Sequence, residues 1–208
     1  IAIDTTVYIS FKNPELEFFY KSFKNETVWQ STVLRKFVLN EFKNAENEGL
    51  FSKDYNYYNL LSLEKKINTL NDKQLVDYDL QLTLNFQKYI KDISQGKLNP
   101  KEIYNDWDLK SKNTDVSKIL ISAFKREANF VAVIDSCKPQ HEIYKKLKTA
   151  LLIVNSFPKD TLKTILVEEK IVPKDTLKAM IAIKKRLIYW KDLKASDSLT
   201  SIYDSKTV

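Results

Sequence analysis

Residues 75–107, LVDYDLQLTLNFQKYIKDISQGKLNPKEIYNDW, carry the pattern that decides the fold. Their apolar residues recur at the spacing of one helix face, and a second set widens that stripe: Leu75, Leu82, Phe86, Tyr89 and Ile93, with Val76, Leu80 and Leu84 beside them. A stripe this broad predicts a helix buried on more than one side. Gly96 follows where a left-handed C-terminal cap is needed, since glycine has no Cβ penalty at positive φ. Asn99-Pro100 then blocks continuation and opens a short helix toward Tyr104 and Trp107.

The composition indicates an all-α protein. The 208 residues are 43% hydrophobic and 12% aromatic, which is enough to form a sizeable core, and the length predicts one large domain or a domain plus a fragment. Only two glycines occur, and both read as helix stops, so tight hairpins and phosphate-binding loops lack their usual residues. We therefore predict an irregular multi-helix domain. Residues 1–11 alternate loosely in polarity, which leaves a short edge strand or an extended arm open at the N terminus.

Capping residues predict where the helices of the first half begin and end. Ser31 caps a helix that runs through Glu48 and stops at Gly49, with Leu50 or Phe51 able to make the apolar contact of such a cap. Residues 71–72 cap the central helix. The aromatic-rich segment 14–29 is predicted to pack into the core rather than to form an exposed patch.

Two apolar segments in the second half are harder to assign. The run NFVAVID at 129–135 has no partner strand in sight, so we favour a helix end followed by a loop. Pro139 is expected to start a helix over residues 140–154. Its buried stripe is predicted to consist of Ile143, Tyr144, Leu147, Leu151 and Val154.

A short repeat marks the last quarter of the chain. The sequence Pro-Lys-Asp-Thr-Leu-Lys occurs at 158–163 and again at 173–178, a spacing too short for a helical-pair solenoid. We interpret the repeat as two helix starts built alike, each with an early proline and an aspartate in its first turn. The predicted domains are a helical scaffold domain over 1–157 and a helical extension over 158–208, whose polar end from residue 192 reads as a loop.

The charge pattern favours solvated helix faces over a dedicated basic surface. The net charge is +7, but 27 acidic residues are interspersed among 34 basic ones and no long basic block occurs. A basic balance attracts nucleic acid, anionic membranes or anionic cell-wall polymers. Trp190 lies on the apolar stripe of its helix, so we expect no nucleic-acid partner.

No membrane or export segment is predicted in this chain. No apolar run reaches the roughly 20 residues that span a bilayer. The sequence opens at Ile1 without a charged and apolar leader, so an export signal is expected outside it.

The sequence contains no recognisable active site. Cys137 and His141 stand four apart, but Pro139 lies between them and no nearby glycine shapes an oxyanion loop. One cysteine and one histidine also leave a zinc site two ligands short. The acidic pairs Asp77/Asp79, Asp106/Asp108 and Glu168/Glu169 give no evidence of carboxylates facing each other across a cleft. We therefore assign no catalytic, cofactor-binding or metal-binding residue and expect no cofactor.

The order of several motifs resembles the N-terminal scaffold domain of YcbB-type L,D-transpeptidases of the YkuD family. Gly49-Leu50 followed by Asp54-Tyr55 resembles its "hGL-x-x-x-DY" passage. Its next motif, an acidic-aliphatic-Thr helix leading to "G-x-[IVL]-x-P" and a tryptophan, is similar to residues 78–83, 96–100 and Trp107. Further similarities are Phe19-Tyr20 with Trp29, Pro139 through Tyr144 and Leu147 in a "P-x-x-x-x-Y-x-x-L" helix, and residues 183–204, which resemble the start of a peptidoglycan-binding-like subdomain.

The resemblance implies a non-catalytic scaffold from a periplasmic, cell-envelope enzyme that cross-links peptidoglycan stem peptides. In that family the chemistry resides in a C-terminal domain with a cysteine in an "S-x-G-C-x-R" setting, and Cys137 does not match it. The expected partners are the catalytic and peptidoglycan-binding-like domains of the same protein, and peptidoglycan. Alternatives from other classes are a helical protein-interaction module, a sequence-tolerant nucleic-acid binder and, least favoured, a hydrolase that uses Cys137 and His141.

Overall fold

The computed structural model describes residues 1–103, 106, 114–157, 164–167, 170–196, 199–205 and 207. Interpretations that involve Tyr104, Trp107, Asp108, the repeat at 158–163, Glu168, Glu169 and Val208 lie outside these residues. The chain divides into two compact units, Ile1–Leu151 and Leu152–Val208. The division into a scaffold domain over 1–157 and an extension over 158–208 stays a prediction.

The described residues are helical and contain no strand or sheet, which confirms the all-α class. The helices are α1 (Thr5–Ile9), α2 (Pro14–Lys21), α3 (Thr32–Lys43), α4 (Tyr57–Lys65), α5 (Asp72–Gln95), α6 (Pro100–Ile103), α7 (Val116–Lys125), α8 (Phe130–Cys137), α9 (Glu142–Ser156) and α10 (Lys178–Trp190). Short 3-10 turns lie at Ala45–Glu48, Ser52–Tyr55 and Ile67–Thr69. In the described ranges, none of these helices combines the length and apolarity needed to span a membrane.

Helix α5 is the axis of the first unit. Helices α2, α4, α7 and α8 all contact it, and it contributes the largest share of the core. Its buried residues occur around most of the helix circumference, which confirms the predicted burial on more than one side: Val76, Tyr78, Asp79, Leu80, Leu82, Thr83, Asn85, Phe86, Gln87, Tyr89, Ile90, Ile93 and Ser94. Several of these are polar, and their partners define the site described below.

The predicted caps agree with the structure in most positions. The side chain of Ser31 accepts from the N–H of Leu34, and Asn71 forms a reciprocal capping box with Gln74. Gly49 has the left-handed conformation, although α3 ends at Lys43 and a 3-10 turn continues to Glu48. Gly96 has φ +87° and ψ 144°, so the predicted positive φ is confirmed but the left-handed helical cap is wrong. That region is one that only glycine adopts readily.

The prediction of an N-terminal strand or extended arm is wrong. Residues 5–9 form α1, because the side chain of Asp4 accepts from the N–H of Thr6 and caps a helical turn. Tyr8 from this turn is fully buried. The extended backbone there amounts to an isolated bridge between Ala2 and Glu26. The loose alternation of polarity reflected one helical turn rather than a pleated strand.

The segment 129–135 is a helix start rather than a helix end. The side chain of Asn129 accepts from the N–H of Val131, and α8 then runs to Cys137. Phe130 and Ile134 are buried one turn apart, while Val131 is 51% exposed. One side of the continuous apolar run therefore forms the buried face of a helix. The predicted loop is wrong.

Helix α9 contradicts the predicted buried stripe. It has no buried residue, and Ile143, Leu147 and Val154 are 72%, 63% and 58% exposed. Tyr144 and Leu151 are half-buried. Helical periodicity identifies an apolar face but does not say what covers it, and in this helix the face is open.

In the second unit, the proline and aspartate of the second repeat copy precede the helix. Helix α10 begins at Lys178, and Asp175 instead closes a turn by accepting from the N–H of Val172 at 2.8 Å. Thr176 bridges to Ile202. The expectation that Asp175 lies in the first helical turn is therefore wrong, because its carboxylate is used in this turn.

Replacement of Phe86 should show how strongly the fold depends on α5. Phe86 is fully buried, and its ring centroid lies 5.8 Å from that of Trp29 and 6.3 Å from that of Phe130. We expect Phe86→Ala to lower the free energy of unfolding by about 3–5 kcal/mol, because it leaves a cavity among aromatic rings. Phe18, 51% exposed, provides the matched control. Phe18→Ala should cost less than about 1 kcal/mol, and equal losses in urea denaturation would contradict this account.

Candidate functional site

A buried carboxylate joins α5 to the segment that follows α2. Asp79 is 4% exposed, and its oxygens accept from the backbone N–H groups of Val28 at 3.0 Å and Trp29 at 2.8 Å. The hydroxyl of Tyr20 donates to the same carboxylate at 2.7 Å. Asp79 therefore holds both the backbone of residues 28–29 and the side chain of Tyr20 on α2.

One turn further along α5, Thr83 extends the same network. The indole N–H of Trp29 donates to Thr83 Oγ1 at 2.8 Å, and the hydroxyl oxygens of Thr83 and Tyr20 lie 2.6 Å apart. Thr83 also donates to the carbonyl of Asp79 at 3.0 Å. Tyr20 and Thr83 are fully buried and Trp29 is 4% exposed, so water does not compete for these groups.

Burial sets the protonation behaviour of this network. Desolvation raises the pKa of Asp79 to about 6, although hydrogen bonds from Tyr20, Trp29 and Val28 act in the opposite direction. Burial and the charge of Asp79 raise the pKa of Tyr20 well above its ordinary value, so its hydroxyl stays a donor. We call Tyr20, Trp29, Asp79 and Thr83 the Asp79 network.

A second polar cluster borders the first. Arg35 forms an ion pair with Glu64 at 2.9 Å, and Tyr78 donates to the same carboxylate at 2.8 Å. Arg35 also donates to the carbonyls of Trp29 and Gln30, both at 2.8 Å. The cluster thus links α3, α4 and α5 to the segment that Asp79 holds. Burial is the main cause that raises the pKa of Tyr78, and the hydrogen bond and charge of Glu64 raise it further.

The passage around residues 49–55 meets the turn after α5. Tyr55 is fully buried, packs against Phe42 and Tyr89, and donates to Asp92 at 2.9 Å. Asp54 forms an ion pair with Lys97, directly after Gly96. Two motifs that are distant in sequence therefore contact each other at the C-terminal end of α5.

The carboxylate of Glu48 bonds two side chains of α9. Glu48, whose side chain is 7% exposed, accepts from Tyr144 and Lys148 of α9 and pairs with Lys138 at 3.2 Å. Burial tends to raise the pKa of Glu48, but these partners outweigh burial and lower it. The sequence analysis did not identify Glu48, because its partners on α9 lie about a hundred residues away in sequence. The only sequence feature that could have indicated the pairing is the opposite charge of Glu48 and its lysine partners.

The second unit has its own internal ion pair. Lys184 is 1% exposed, pairs with Asp204 and donates to Thr200 at 2.9 Å. Both charged residues lie within the stretch 183–204. Their pairing connects α10 to the polar end of the chain, which has no apolar stripe of its own.

The candidate catalytic residues that the structure describes differ in exposure. Cys137 is buried at the end of α8, whereas His141 is exposed beyond Pro139. Asp77 is exposed and Asp79 is buried on the same helix. Across the described residues, no cluster of three or more histidine, cysteine or acidic side chains could hold a metal ion. What the buried polar groups can do is hold helices in fixed register.

The hydroxyl of Thr83 should be essential to the Asp79 network. Thr83→Val keeps the side-chain shape but leaves the buried indole N–H of Trp29 without its acceptor. We expect a loss of about 1–3 kcal/mol in the free energy of unfolding, the cost of an unsatisfied buried donor. Thr149→Val, at an exposed helical threonine, should change stability by less than about 0.5 kcal/mol. A loss of similar size in both variants, measured by urea denaturation, would count against the network.

The raised pKa of Asp79 predicts a specific pH dependence. Folding raises this pKa from 3.8 to about 6, so the folded protein binds the proton more tightly than the unfolded chain does. The associated stability is fully present below pH 3.8 and is lost as the pH rises through 6. Between about pH 7 and pH 4, the unfolding free energy of the wild type should gain about 2 kcal/mol relative to Asp79→Asn.

Asp77→Asn provides the matched control, because it removes an exposed carboxylate two residues away on the same helix. Its difference from the wild type should change by less than about 0.5 kcal/mol over that pH range. A constant difference between the wild type and Asp79→Asn across the range would show that Asp79 does not titrate as described.

Comparison with known families agrees with this supporting architecture. A family model described as a scaffold domain matches residues 14–151, which is more than half of the chain. The match begins at the first residue of α2, ends within α9 and includes every residue of the Asp79 network. The comparison with curated proteins gives no match. The chain belongs to the scaffold-domain family.

Proposed function

We propose that this chain is the non-catalytic scaffold region of a cell-envelope L,D-transpeptidase that cross-links peptidoglycan stem peptides. Its role is to position the catalytic and peptidoglycan-binding-like domains of the same protein against peptidoglycan in the periplasm. The parent enzyme is a cysteine acyltransferase whose nucleophile lies outside residues 1–208.

One observation carries the proposal: residues that resemble the transpeptidase scaffold are the residues that hold the first unit together. Tyr20, Trp29, Asp79 and Thr83 form one buried hydrogen-bond network. Asp54, from a further motif, forms an ion pair with Lys97, which lies in the same motif as Asp79 and Thr83. Motif residues that bond one another within the unit suit a rigid support, and the scaffold-domain family match supports the same role.

A helical protein-interaction module remains the second candidate, and one surface favours it. A groove of about 610 Å³ lies between the start of α3 and the α7–α8 connection. Val33, Phe37 and Val131 line it, and Val33 is 81% exposed. An apolar groove of this kind suits an amphipathic partner helix.

The proposed function is tested by the parent gene product. Sequencing the gene downstream of the codon for residue 208 should reveal a cysteine in an "S-x-G-C-x-R" setting with an upstream histidine. The full-length protein should then form cross-linked dimers from purified stem peptides, whereas the 208-residue chain should form none. Replacing the downstream cysteine with alanine should abolish the activity, because that side chain is the attacking nucleophile.

Cys137→Ala in the full-length protein is the matched control and should retain cross-linking. Cys137 is buried in the helical core. Cross-linking by the 208-residue chain alone would overturn the proposal. Loss of cross-linking in a folded full-length protein that carries Cys137→Ala would also overturn it. A reading frame without the cysteine motif would leave the interaction module as the better interpretation.

A further inference from the structure

Helices α3 and α4 enclose a groove on the surface of the first unit. Its volume is about 560 Å³. The lining consists of positively charged, amide and apolar side chains from both helices and the turn that follows α4: Thr32, Arg35, Lys36, Leu39, Asn40, Lys43, Tyr57, Leu61, Glu64, Lys65, Ile67 and Asn68. No residue of the Asp79 network lines it, although Arg35, which does, donates to the carbonyl of Trp29.

The groove carries uncompensated positive charge. The charges of Arg35 and Glu64 neutralise each other, because the two side chains form an ion pair and are only 7% and 8% exposed. Lys36, Lys43 and Lys65 are exposed. Within the described part of the chain, these three lysines have no carboxylate within ion-pairing distance. Three ammonium groups are therefore available to an anionic ligand.

The spacing of the charges favours an extended ligand. Lys36 and Lys43 are seven residues apart on α3, which corresponds to about 10 Å along the helix axis. Lys65 faces the same groove from α4. A single small anion contacts one such position, whereas a chain with repeated negative groups contacts several.

The neutral lining suits sugar rings. Tyr57 offers a half-buried aromatic face, and Leu39 and Leu61 add apolar surface beside it. Asn40 and Asn68 present exposed amides, which can both donate to and accept from hydroxyl groups. A sugar ring combines an apolar face with hydroxyl groups, so this lining fits it.

We propose that the groove between α3 and α4 binds a carboxylate-bearing glycan strand. This inference rests on the proposed function, which makes peptidoglycan the carboxylate-bearing glycan that the protein contacts. The lysines bind carboxylates of the strand and its stem peptides, while Tyr57 and the two asparagine amides contact the sugars. Single-stranded nucleic acid fits the groove less well, because stacking of successive bases requires several aromatic side chains. Among the residues that line the groove, Tyr57 is the one aromatic residue.

A sedimentation assay with purified peptidoglycan sacculi tests the groove directly. The variant combines Lys36→Gln, Lys43→Gln and Lys65→Gln, and the matched control combines Lys73→Gln, Lys145→Gln and Lys146→Gln. The control residues are exposed helical lysines outside the groove, and each triple variant removes three of the net +7 charges. Thermal melting of both variants should match the wild type, since all six side chains are exposed.

The groove variant should bind sacculi at least about tenfold more weakly than the wild type, because it loses several charge contacts in one site. The control variant should lose about twofold or less, since it removes only long-range attraction. Sacculi whose carboxylates have been amidated should bind the wild type as weakly as native sacculi bind the groove variant.

Three outcomes would overturn the inference. Equal losses in the two triple variants would show attraction by net charge alone. Undiminished binding of the wild type to amidated sacculi would exclude carboxylate recognition. Tighter binding to a single-stranded oligonucleotide than to sacculi, lost in the groove variant, would assign the groove to nucleic acid. None of these results affects the cysteine-dependent cross-linking assay, so failure of the groove and failure of the proposed function are distinguishable.

Discussion

The buried carboxylate of Asp79 is the constraint on which the first unit depends. A charged group with 4% exposure is stable only when donors surround it, and three come from Tyr20, Val28 and Trp29. These donors belong to α2 and the segment after it, so α5 can rotate or slide only by leaving a charge unpaired. Apolar packing alone tolerates such shifts more easily. The network therefore sets the register of α5 against α2.

The same chemical pairing recurs around the first unit. Besides Tyr20 with Asp79, tyrosine hydroxyls donate to carboxylates in four more pairs: Tyr55 with Asp92, Tyr78 with Glu64, Tyr89 with Glu41 and Tyr144 with Glu48. Burial is the main cause that raises the pKa of each of these four tyrosines. The phenol ring contributes apolar packing while its hydroxyl satisfies an acid on another element. The pairs of Tyr55, Tyr78 and Tyr89 thus combine core packing with a directional contact, which suits a domain whose proposed role is support.

Sequence patterns predicted the elements whose signals are local. The caps at Ser31 and Asn71 and the wide stripe of α5 agree with the structure, because each depends on residues within a few turns. The short helix at 5–9 was missed, since one turn capped by Asp4 is too short to show a helical period. The groove between α3 and α4 was not predictable either. Whether Lys36 and Lys65 face the same groove depends on how α3 packs against α4. The sequence of one helix does not determine this packing.

Helix α9 shows why an apolar stripe and a docking face are different properties. Tyr144 and Lys148 of this helix both bond to Glu48 through their polar groups, and none of the helix's residues is buried. Polar attachment of this kind stabilises a helix less than burial of an apolar face does. Helix α9 has no buried apolar side chain of its own. The family match and the first compact unit both end at residue 151, inside this helix. None of the residues of the Asp79 network lies on α9, so the network does not depend on this helix.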